Sequence, residues 1–223
     1  MIALSIACML ACAVALGAEL RGAHRARLVA KLAASSAFVA VGALALRRGG
    51  DAPGQVALAH AIVAGLVLGA IGDACLAMPG KRWFLAGLFA FLLGHLAYVV
   101  GIAEVEPWQR WLGDAGWLAM APIAAGLGAL AVLWPRLGSR RLPVIVYVVT
   151  ITVMVIAAVA AGRAAPLPAA NRCRLVAGAG AFFVSDLAVA RERFLVRSVT
   201  NRLLGLPVYY AGQLLLAWSI ATS

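Results

Sequence analysis

The chain has 223 residues, of which 65% are hydrophobic, and a mean hydropathy of +0.99. Soluble domains are roughly 45–50% apolar, and the excess here is spread over the whole length, which excludes a soluble domain on a single anchor. The formal net charge is +11, but the basic residues sit in short loops between apolar runs, where they set topology and meet anionic headgroups, so nucleic acid is excluded as a partner.

Apolar runs of about 17–25 residues cross the hydrocarbon core as helices. The sequence predicts eight, at 1–18, 28–46, 56–78, 83–103, 115–134, 142–162, 173–190 and 201–220. The expected fold class is all-α: a polytopic membrane helical bundle, with 1–223 as a single transmembrane domain. No basic residue precedes the first run, and Arg21, Arg25 and Arg27 follow it, so it reads as a retained span rather than a secretory signal. The separators, such as RRGGDAPG, PGKR and GRAAPLPAANR, concentrate Pro and Gly as turns do. Cys8, Cys12, Cys75 and Cys173 show no metal-type or disulfide spacing and read as small hydrophobes.

Loop charge gives an orientation. One set of loops carries Arg21, Arg25, Arg27, Lys31, Lys81, Arg82, Arg136, Arg140, Arg141, Arg191, Arg193, Arg197 and Arg202. The other carries Arg47, Arg48, Arg110, Arg163, Arg172 and Arg174. The positive-inside rule therefore predicts both termini outside the cytoplasm. The Ala- and Arg-rich composition suggests a bacterial source, hence the inner membrane.

Among the acidic residues, Asp73 and Asp186 alone lie well inside apolar runs, in the third and seventh spans. A carboxylate there costs about 2.5–3.5 kcal/mol on insertion scales, so such groups normally face a bundle interior or a watery cavity. Both fall near the cytoplasmic ends of their spans. His95 and Tyr98 lie deeper in the fourth, on one helix face with Phe84, Gly87 and Phe91. Tyr209, Tyr210 and Gln213 fall near mid-depth in the eighth. Two readings stay open at this point: either Asp is a helix-packing ion pair with Lys31, or the two acids share a functional cavity. His95 alone is as readily an interior hydrogen-bonded residue, and Ser185 could simply bond back to its own helix.

The segments GDACLAM at 72–78, FLAGLFAFLLGHLAY at 84–98, YVVTITVM at 147–154, GAFFVSDLAVARERF at 180–194 and YYAGQLLLA at 209–217, with Lys31 ahead of them, resemble the YhhN family of membrane proteins in content and order. Characterised members of that family are lysoplasmalogenases. Val208 stands where many members carry Thr. The resemblance implies hydrolysis of the vinyl ether bond of lysoplasmalogen to a fatty aldehyde and a glycerophospho-ethanolamine or -choline. In this reading Asp73 and Asp186 are the catalytic pair, with neither assigned as acid or base; paired carboxylates perform related work at glycosidic bonds. His95, Tyr98, Tyr209, Tyr210, Gln213 and Ser185 would border the substrate or orient water, and Lys31 would meet the lipid phosphate. The implied partners are a lysophospholipid substrate and membrane lipid; no protein partner is indicated. No cofactor is expected, although His95 with the two acids is a conceivable metal set.

Two rivals come from other classes. Intramembrane acids also couple protons or cations to transport, so a lipid or small-solute transporter is the alternative; a one-sided cavity would favour the enzyme. An ester or amide lipid hydrolase would need a nucleophile, and no GxSxG motif occurs.

Overall fold

The computed structural model describes residues 1–196 and 198–221; Arg197, one of the basic loop residues, lies outside the described residues. Nine α-helices occur among the described residues: α1 (Ile2–Leu20), α2 (His24–Leu46), α3 (Pro53–Ala77), α4 (Lys81–Ala103), α5 (Trp111–Ala115), α6 (Met120–Leu137), α7 (Arg141–Ala164), α8 (Ala169–Phe194) and α9 (Val199–Trp218). No strand is present among them. All but α5 are 18–26 residues long, and their positions answer the eight predicted spans. In hydrocarbon the backbone has no water to bond, so a spanning segment must satisfy its own N–H and C=O groups, which a helix does. Pro53 opens α3, where a missing N–H costs nothing, and the Ser198 side chain caps α9 by accepting from the Thr200 N–H at 3.2 Å.

Six segments are long and apolar enough to cross a membrane: α1 to α4, the run Trp108–Ala164 that holds α6 and α7, and α8. α9 is not among them, because it holds Asn201 and Arg202 in its first turn and carries Tyr209, Tyr210 and Gln213 inward. It is a polar-cored helix that is shielded by its neighbours.

α2, α3, α4, α7, α8 and α9 form a ring in which each packs on the next and α9 returns to α2. α1 lies outside, against α2 and α9; α6 lies outside, mainly against α7. Where α8 meets α9 the backbones almost touch: a Cβ on Gly212 would stand 3.1 Å from the Gly178 carbonyl oxygen, so only glycine fits without displacement. The core holds Phe38, Tyr98, Tyr210, Phe182, Ile62 and Leu66. Large apolar side chains such as Ile6, Leu10, Val14, Phe89, Leu127 and Val184 point outward, which suits lipid and not water. The indole of Trp218 donates to Ser5 Oγ at 3.0 Å, so the start of α1 and the end of α9 lie at the same end of the bundle.

One expectation shifts. The fifth span, expected at 115–134, is α6 at 120–137. The residues before it fold as 3₁₀ turns and α5, which packs against α7. Trp111 is buried there and donates to the Glu106 carbonyl at 2.7 Å. Of the cysteines, all four are free; Cys8 and Cys12 are buried while Cys173 is exposed.

Candidate active site

The inward faces of α2, α3, α4, α7, α8 and α9 carry the polar residues picked out in the sequence, and the ring brings them to one end of the bundle. Asp73, on α3, is 3% exposed. Its Oδ1 lies 3.2 Å from Lys31 Nζ on α2, and its Oδ2 accepts from Ser35 Oγ, one turn further along α2, at 2.7 Å. Tyr210 on α9 donates to the Lys31 carbonyl at 3.2 Å and lies 3.5 Å from Ser35 Oγ. The Lys31 ammonium is engaged by Asp73, the arrangement that the ion-pair alternative described.

Asp186, on α8, has different company. Tyr147 on α7 donates to its Oδ2 at 2.8 Å. His95 Nε2 stands 3.6 Å from the same oxygen, too far for a hydrogen bond. The imidazole is fully buried, and neither ring nitrogen has a partner at hydrogen-bond geometry among the described residues. It packs edge-on against Phe182 and Tyr147, with ring centroids 4.6 and 5.2 Å away. The two carboxylates thus differ in kind: one faces a cation and a hydroxyl, the other a phenol and an imidazole.

Both line one cavity of about 280 Å³, room equal to roughly nine liquid waters at about 30 Å³ each. Its body is apolar, built from Leu76, Phe91, Ala129, Leu133, Val148 and Phe183 among others; Lys31, Tyr147, Ser185 and Tyr209 also reach it. At one end its lining becomes charged, with Glu19, Arg27, Glu192, Arg193 and Arg202. No residue of the loops at the opposite end of the bundle, 47–52, 104–119 or 165–168, is part of that lining. The cavity is one-sided.

The remaining expected site residues stand behind the wall. His95, Tyr98, Tyr210 and Gln213 do not line the cavity. Tyr98 donates to Gln213 Oε1 at 2.8 Å, and Gln213 Nε2 donates to Tyr209 Oη at 3.2 Å. Tyr209 carries this chain to the cavity surface beside Asp73. Gly69 on α3 makes room for it, since a Cβ there would stand 2.5 Å from Gln213 Nε2. Ser185 lines the cavity, but its hydroxyl donates to the Phe182 carbonyl at 2.8 Å, the back-bond weighed from sequence. His95 and the two acids do not form a metal set, and no group of three His, Cys, Asp or Glu side chains that could hold an ion occurs among the described residues.

Two members were not singled out from sequence. Ser35 is four residues from Lys31 and so shares its helix face, but a lone serine in a small-residue run attracts no notice. Tyr147 sits within a segment otherwise apolar, and nothing local distinguishes it from an ordinary interfacial tyrosine.

These features define a class: a polytopic helical membrane protein with a one-sided cavity that two carboxylates from different helices line. Within that class the chain belongs to the YhhN family, which matches residues 26–220. It is 34% identical to a lysoplasmalogenase of Mycobacterium bovis over 156 residues, covering 67% of this chain and 55% of that one. It is 36% identical to lysoplasmalogenase TMEM86A of Bos taurus over 165 residues, 73% of this chain and 65% of that one. A YhhN membrane protein of Escherichia coli is 27% identical over 174 residues, 76% and 78% of the two chains. The chain thus spans between about half and two thirds of the length of the named lysoplasmalogenases. No solved structure matches it.

Proposed function

We propose that this protein is a lysoplasmalogenase-like membrane hydrolase. It would cleave the vinyl ether bond of lysoplasmalogen to a fatty aldehyde and a glycerophospho-ethanolamine or -choline. The observation that carries the reading is that two carboxylates from different helices line one cavity that is greasy in its body and charged at its mouth. The names of the relatives point the same way.

The chemistry needs an acid that protonates the alkenyl carbon distal to the ether oxygen, leaving an oxocarbenium ion. Water then adds to the carbon bound to oxygen, giving up a proton to a base. The hemiacetal breaks its bond to the glycerol oxygen, which takes a proton as the aldehyde leaves. Asp73 and Asp186 are our acid/base pair. Their unequal surroundings support a division of labour in which Asp73, balanced by Lys31, is the carboxylate that takes the proton from water and Asp186 the group that delivers one. Tyr147 and His95 position Asp186. Tyr209, held through Gln213 and Tyr98, and Tyr210, through Ser35, position water on the Asp73 side. A cavity without lining from the opposite loops favours hydrolysis over the transporter reading.

By loop charge we place the cavity mouth at the cytoplasmic face of a bacterial inner membrane, with both termini outside. The test is aldehyde release from lysoplasmalogen by purified protein. Asp73→Asn and Asp186→Asn are each expected to lose at least a hundredfold, the lower range for a general acid or base. Either variant at near wild-type rate would remove that residue from the mechanism.

A further inference from the structure

The charged mouth is a structure of its own. Glu19 at the end of α1 is paired with Arg27 of α2 and, at 3.3 Å, with Arg202 Nε of α9. Arg202 Nη1 also lies 3.0 Å from Glu192 Oε1 on α8. These four charges alternate in sign and sum to zero; Arg193, the fifth charged residue at the mouth, stacks over the Phe84 ring at 4.1 Å and stands outside the chain of pairs. All four side chains line the cavity, and all remain 19–38% exposed, so they can exchange partners. Exposed pairs of this kind contribute little to stability, about 0–1 kcal/mol each, which leaves the balance of charge at the mouth as their main physical effect.

We propose that Glu19, Arg27, Glu192 and Arg202 form a headgroup subsite that selects the charge of the lipid by partner exchange. This rests on the lysoplasmalogenase reading and names four residues for it. A zwitterionic phosphodiester inserts its phosphate between the two guanidinium groups, where planar forks suit phosphate oxygens. Its ammonium takes the carboxylates so released, and every charge stays paired. A phosphomonoester would take the arginines and leave both carboxylates without a cation of the chain of pairs, Glu192 keeping only the neutral Ser198 N–H at 2.7 Å and the Asn201 amide at 3.3 Å. The spacing fits. Arg27 lies one turn of α2 from Lys31, about 6 Å at 1.5 Å per residue, and a glycerol backbone spans a similar length from ether oxygen to phosphorus. The phosphate role expected for Lys31 thus moves one turn outward.

The test uses saturated probes that cannot be hydrolysed: 1-O-alkyl-glycerophosphocholine, 1-O-alkyl-glycerol phosphate and 1-O-alkylglycerol, titrated against the full chain in detergent. Wild type is expected to bind the phosphocholine probe more tightly than the phosphate probe, and equal or reversed affinity overturns the proposal. Glu19→Gln is expected to move that ratio roughly five- to tenfold toward the phosphate probe, and Arg27→Gln to move it the other way, the scale of one charge contact at about 1.4 kcal/mol per decade. Both are expected to bind 1-O-alkylglycerol as wild type does, which separates subsite loss from misfolding. A ratio unchanged within about twofold in variants that still bind 1-O-alkylglycerol also overturns it. Aldehyde release is scored separately: its absence alongside the expected probe selectivity would end the hydrolase reading and leave the subsite standing.

Discussion

The Lys31–Asp73 pair offers the sharpest energetic test. Asp73 is 3% exposed and Lys31 15%, with 3.2 Å between ammonium and carboxylate. Lys31→Met removes the cation at that carboxylate and leaves Ser35 as its hydrogen-bond donor. Breaking a buried pair from one side costs about 3–5 kcal/mol, because the survivor is an uncompensated charge. Asp73→Asn is milder. The amide keeps a bond to Ser35, and the long Lys31 stem can carry its head toward the charged mouth, so about 1–2 kcal/mol is expected. The double variant removes both charges together and is expected to lose only about 1–2 kcal/mol, giving a favourable coupling of roughly 3–5 kcal/mol. The assay is equilibrium unfolding of the four proteins in mixed micelles, followed by far-UV circular dichroism. Additivity within about 0.5 kcal/mol would mean that the two charges do not meet as described. All three variants are expected to lose aldehyde release, so stability and catalysis separate: the double variant is restored in one and not in the other.

Tyr147→Phe removes the hydroxyl that donates to Asp186; aldehyde release is expected to fall by roughly tenfold, the worth of one hydrogen bond to a charged or reacting group, without loss of binding of the saturated ether probe. Gly69→Ala would drive Gln213 from its place and break its bonds to Tyr98 and Tyr209; a loss of about 2–3 kcal/mol is expected from two buried hydrogen bonds, with Gly69→Ala and Gln213→Leu non-additive in the same unfolding assay. Glu106, in the loop after α4 and 1% exposed, has its carboxyl pushed above the usual range by burial, opposed by Arg110 and reinforced by Asp114. The native chain therefore holds more protons than the unfolded chain across that window, so this group's contribution weakens as pH rises from about 4.5 through the native value. Glu106→Gln is expected to gain on wild type over that range in pH-resolved unfolding, and a constant difference at all pH values would refute it.

The long helices were legible because hydrocarbon imposes a length and a composition on whatever crosses it; α9 meets the length, while Arg202, Tyr209, Tyr210 and Gln213 keep it short of the composition. The site was partly legible for the inverse reason: Asp73 and Asp186 violate that composition, and the violation is visible without any structure. What the chain order hides is partnership. Lys31 is 42 residues from Asp73, and Tyr147 39 from Asp186; only packing decides whether a cation at a span's edge turns to a lipid or to an acid. Tyr98, Tyr210 and Gln213 were recognised as polar residues in an apolar setting, but sequence has no means of telling a residue on the cavity wall from one bracing it. The start of α6 was misplaced because α5 and its flanking turns are as apolar as a span; hydropathy does not register a chain that folds back on α7.

The cavity's division into a greasy body and a charged mouth bears on how the products of the proposed reaction would leave. An amphiphile matches both halves at once, but each fragment of it matches only one. Under the proposed hydrolysis, the long-chain fragment would have no further hold on the salt-bridged mouth and would dissolve sideways into the bilayer. The polar fragment would have no hold on the grease and would wash into the aqueous phase. The two departures would run in different solvents, so partitioning alone would oppose recombination.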